Sequence, residues 1–174
     1  MLSSLLTLPW FLFTYFIANR NDLATKLAEG SMLVGGLALL IYLLLTFQQL
    51  LNRRYAFNGA DKTISLLIQA SIIQTSAAIL ALAVPELKSA VGLFGLLMVV
   101  IVGVLHMMLG IWLLHLPASL GGMHRPYCWL NIVTGFSLAT IMLLPLGMLT
   151  SAIADVMLAT IFLQAARTPM PQSS

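Results

Sequence analysis

Charge is what this sequence is short of. Asp, Glu, Lys and Arg together make up 7% of its 174 residues, where soluble proteins carry about 25%. So few charges cannot cover a water-facing surface, which excludes soluble enzymes and nucleic-acid readers as classes. Cysteine is nearly absent as well. Cys128 stands alone, so an internal disulfide, a CxxC redox pair and a cysteine zinc site are all ruled out. Catalytic signatures are missing too: the sequence holds no HExxH, GxSxG, P-loop or GxGxxG. Gly35-Gly36 and Gly121-Gly122 are isolated pairs suited to packing and turns. Neither a catalytic residue nor a metal site is expected, and an enzyme is the lesser expectation.

What abounds is apolar, with hydrophobic residues reaching 60%. A bilayer must be the solvent for most of the chain. The expected fold is an all-α polytopic membrane bundle, one domain over 1–166 followed by a short flexible tail, 167–174. About 20 apolar residues cross roughly 30 Å of hydrocarbon, and the polar islands divide the chain into six spans: about 2–18, 31–51, 64–84, 90–116, 129–145 and 150–166. The first is short and holds Pro9, but it lacks a basic leader and carries bulky aromatics, which favours a retained span over a signal peptide. The block 129–166 as one helix would run about 57 Å. A break at Pro145-Leu146-Gly147 is therefore expected, with five spans plus a re-entrant or interfacial segment as the alternative.

Basic residues orient the bundle. With both termini cytoplasmic, Arg53, Arg54, Lys62, Arg125 and Arg167 fall inside, and Arg20, Lys26 and Lys88 outside. The expected location is a bacterial inner membrane or an equivalent energy-transducing one.

Inside a bilayer the few polar residues are the informative ones. On the fourth span Gly92, Gly95, Gly103, His106 and Gly110 share an arc of about 80°, so the glycines form a helix-packing stripe and His106 points into protein. His115 lies about 13.5 Å further along the axis and on the opposite side, so the two imidazoles cannot clasp one iron. The third span is polar on two faces, with Gln69 on one and Gln74 on the other, which predicts a central helix. Gln74 and His106 fall at similar depth, and Asn131 extends the polar set from the fifth span. Asp155, on the sixth, is expected about 7.5 Å inward from Thr150, within snorkelling reach of Arg20 and Lys88.

Three functions follow in order of preference. The first is an accessory subunit that packs against partner transmembrane helices. The second is a small-solute or ion/proton-coupled transporter or channel built on Gln74, His106 and Asp155. The third is a haem carrier or membrane enzyme using His106. No resident cofactor is expected, with haem or a bound lipid as lesser alternatives. The expected partners are the bilayer and other transmembrane subunits or further copies of this chain, not nucleic acid.

Overall fold

A computed structural model describes residues 23–116 and 124–167. The described chain is all helical: α1 (Leu23–Tyr55), α2 (Asp61–Ala83), a 3-10 turn (Pro85–Leu87), α3 (Lys88–Leu114), α4 (His124–Ala139) and α5 (Leu144–Arg167). Four stretches, Ala24–Arg53, Asp61–Ala83, Pro85–Leu114 and Pro145–Leu163, are long and apolar enough to cross a membrane. This agrees with a helical membrane bundle. The count of six depends further on 2–18, which lies outside the described residues, and on α4. The 16 residues described for α4 run about 24 Å, against roughly 30 Å of hydrocarbon, and residues 117–123 before them lie outside the described residues.

Two element boundaries depart from those expected. The helix α1 already includes Leu23–Gly30, ahead of the expected start at Ser31; Leu23, Ala24, Lys26, Leu27, Ala28 and Glu29 are good helix formers, so the charges at Lys26 and Glu29 do not break it. The break between α4 and α5 falls at 140–143, not at Pro145-Leu146-Gly147. At the end of α4 the Thr140 hydroxyl donates to the carbonyls of Phe136 (3.0 Å) and Ser137 (3.1 Å), and Ile141, with φ 54°, turns the chain out of the helix. Pro145 then lies in the first turn of α5, where its missing N–H leaves nothing unpaired. Gly147 is a packing position: a Cβ there would meet the Leu138 side chain at 2.9 Å.

Glycines set the closest seam. A Cβ at Gly103 would lie 2.7 Å from the backbone of Gly135 and Ala139, and one at Gly110 would lie 2.7 Å from the Cys128 carbonyl oxygen. The backbones of α3 and α4 therefore touch along an antiparallel register. Gly92 and Gly95, further along the same helix, meet no atom within 4 Å. The α4–α5 pair is antiparallel too, tied by Thr134 donating to the Thr150 hydroxyl at 2.9 Å.

The helix α2 lies between α1 and α3 instead of at the centre. Gln69, Ser65 and Ser76 are exposed, and Gln74 is half-buried. A polar side chain need not seek the interior when its own helix satisfies it, as Ser71 does on the Leu67 carbonyl at 2.8 Å.

Buried apolar side chains gather at one end of the bundle. Phe47, Leu51, Ile64, Leu113 and Tyr127 are all at most 4% exposed there. Phe47 meets Tyr127 and Phe162 edge-on, with ring centroids 5.8 and 6.3 Å apart. These side chains carry α1 to the other helices. Among the described residues no Cα of α1 comes within 8 Å of α3, α4 or α5, so side chains alone span that gap.

Candidate functional site: a chamber behind α1

The gap behind α1 holds a small chamber of about 50 Å³. From α1 come Leu40, Leu43 and Leu44; from α3, His106 and Leu109; from α4, Tyr127, Asn131 and Thr134; from α5, Ser151, Ala154, Asp155 and Leu158, so that polar groups stand in a mostly apolar wall. Residues 127, 131 and 134 are spaced i, i+4, i+7, so they form one stripe on α4. Ser151 and Asp155 repeat the i, i+4 spacing on α5. The glycine seam fixes His106 at the level of Thr134, and the Thr134–Thr150 bond fixes α5 against α4. Register along these two contacts brings the three polar stretches to one height.

Local hydrogen bonds orient the lining. His106 donates from Nδ1 to the Val102 carbonyl oxygen at 2.9 Å. Because a carbonyl only accepts, the ring proton sits on Nδ1 in neutral His106, and Nε2 presents a lone pair. Asn131 donates from Nδ2 to the Tyr127 carbonyl at 2.9 Å and lies beside the Tyr127 hydroxyl. Thr134 is 1% exposed and Asn131 3%, so both polar groups are held away from lipid. Asp155 is near enough to His106 and Tyr127 to act on both electrostatically.

The chamber lies near mid-length. Asp155 is about 15 Å along α5 from Pro145 and about 12 Å from Leu163. That is deeper than expected from the sequence, because α5 starts before Thr150. Lys88, 18 residues ahead of His106 on α3, is about 27 Å away along the axis and cannot snorkel to Asp155. Arg20 is outside the described residues.

Of the residues singled out by polarity, His106, Asn131 and Asp155 line the chamber, whereas Gln74 and Gln69 do not. His115 is exposed at the end of α3, its Nδ1 donating to the Ile111 carbonyl at 2.9 Å. Tyr127 and the three α1 leucines were not expected. The i, i+4, i+7 stripe signals Tyr127; nothing in the local sequence signals the leucines. Among the described residues no group of three or more His, Cys, Asp or Glu side chains is arranged to hold a metal ion. Comparison with known protein families, curated proteins and solved structures finds no match.

Proposed function

We propose that this chain is a small membrane transporter or channel for a proton or a small cation, working through the chamber behind α1. One observation carries this: His106, Asn131 and Asp155, from three successive helices, line a single space at mid-length of the bundle. A charged residue at the bilayer centre costs about 2.5–3.5 kcal/mol on insertion scales, and intramembrane ionisable groups mark ion and proton pathways. A volume of about 50 Å³ takes a few water-sized species. Pockets for organic ligands run to about 300–1,000 Å³, so the solute is small, and a haem on His106 would have to part the helices. Held to α3–α5 by side chains alone, α1 is the natural moving wall.

The proposal takes six spans with both termini cytoplasmic, in a bacterial inner or equivalent membrane. The Phe47–Tyr127–Phe162 cluster then closes the chamber on its cytoplasmic side. Docking against partner transmembrane helices is a second role, supported by the open faces of Gly92 and Gly95, which leave room for a neighbour's backbone.

Reconstituted protein should carry a proton- or cation-dependent flux that Asp155→Asn and His106→Ala each reduce at least about tenfold. Unchanged flux in both variants would remove the chamber from the pathway. For the docking role, gentle-detergent extraction from native membrane should bring down other transmembrane chains. A monodisperse monomer would count against it.

A further inference from the structure

We infer that the outward face of α2 is the interface of a parallel homodimer, pairing with α2 of a second copy of this chain. The inference is independent of the chamber and of its transport role. On α2 the residues Ser65, Gln69, Ile72, Ser76, Ile79 and Ala83 are all exposed, and each follows the last by alternately four and three positions. That alternation is the seam of a left-handed coiled coil, and most helix pairs in membranes cross with the same hand. The seam runs about 27 Å, most of the roughly 30 Å of hydrocarbon. It stands opposite the face that Ile64, Leu67 and Ala70 bury within the protein. Its composition does not suit lipid. An amide and two hydroxyls need partners in hydrocarbon, and Gln69 stands about 12 Å inside the start of α2. Ser71, on the buried face, is satisfied by the Leu67 carbonyl at 2.8 Å. Among the described residues no such bond holds Ser65, Gln69 or Ser76.

The polar groups of the seam identify the occupant. Copies inserted in one orientation are related by a two-fold axis along the membrane normal, so each seam residue meets its own counterpart at the same depth. A Gln amide is its own complement: the NH2 of each donates to the carbonyl oxygen of the other, closing a reciprocal pair. Ser76 meets its counterpart likewise, since each hydroxyl both donates and accepts. A different chain would have to carry a matching amide and hydroxyl at these two depths, whereas a second copy supplies both by symmetry. Ser65, Ser76 and Ala83 are small, which lets the two backbones approach closely. Gln69, a polar residue within an otherwise apolar or small seam, also fixes the register of the pair.

The test is oxidative cross-linking of the full-length chain in its membrane, with Cys128→Ala as background and one new cysteine at a time. Gln69→Cys, Ile72→Cys and Ser76→Cys should each give a disulfide-linked dimer. Leu66→Cys and Ala77→Cys, about 100–120° round the helix from the seam, should stay monomeric. The wild type is read separately, so the answer does not depend on any variant folding: two differently tagged copies, co-expressed, should purify together on either tag. In a lipid-dilution series Gln69→Leu should weaken dimerisation about three- to twentyfold. Failure of the tagged copies to purify together, no dimer from any seam cysteine, or equal yields from seam and flanking cysteines would overturn the inference. So would unchanged dimerisation in Gln69→Leu, or cross-linking of the seam cysteines only to a different chain or to a cysteine placed within residues 2–18.

Discussion

A methyl group added at Gly135 tests the seam that holds the chamber in register. Its Cβ would lie 2.6 Å from the Met107 backbone nitrogen, whereas ordinary van der Waals contact begins at 3.4 Å. Backbone cannot yield as a flexible side-chain end can, and the Gly103 carbonyl oxygen is closer still, so α3 and α4 must part by more than the roughly 0.8 Å between those distances. A gap of roughly 0.5–1 Å forfeits a quarter to a half of each dispersion contact, and overpacking of this kind costs about 1–3 kcal/mol. Gly135→Ala should lose that much stability in an SDS titration of the purified protein followed by circular dichroism. Gly92→Ala is the matched control. No atom lies within 4 Å of its Cβ position, and Ala is favoured over Gly within a helix by about 0.5–1 kcal/mol, so stability should hold or rise. Equal stability in the two variants would refute the close α3–α4 contact.

Thr134→Val removes the donor to Thr150 and should cost about 0.6 kcal/mol, at most about 1.7. A double-mutant cycle with Thr150→Val should then show coupling, and strictly additive losses would speak against the bond. Phe47→Leu breaks two edge-on ring contacts worth about 0.5–1.5 kcal/mol each. It should lower stability accordingly and speed maleimide labelling of Cys128, which is buried in the wild type. At the α1–α2 junction, Asn52 donates from Nδ2 to Asp61 Oδ2 at 3.2 Å, and Oδ1 of each side chain is buried without a hydrogen bond. Asp61→Asn supplies a donor there, so stability should stay level or rise; a loss above about 1 kcal/mol would mean that the carboxylate itself is needed.

The helical class was legible because apolar runs and short polar islands report directly on a bilayer solvent. Pro85 announced the α2–α3 junction in the same way. The α4–α5 break was not legible, because the chain turns at Ile141, an apolar residue with positive φ, while Pro145, the louder signal, serves as a helix start. Polarity marked His106, Asn131, Asp155 and Gln74 alike. Which of them converge depends on interhelical register, set by Gly103, Gly110 and Gly135 and by the Thr134–Thr150 bond. A sequence displays the small residues but not the residue each one meets. Leu40, Leu43 and Leu44 look like any apolar stretch, and only the packing of α1 across the gap turns them toward the chamber.

The most direct test of the central proposal is an infrared difference spectrum of the reconstituted protein, recorded as the pH and then the cation of the buffer are changed at fixed ionic strength. If the chamber carries its proton or cation through Asp155, a carboxyl band should shift in the wild type and be missing in Asp155→Asn. Identical difference spectra from the two proteins would contradict it.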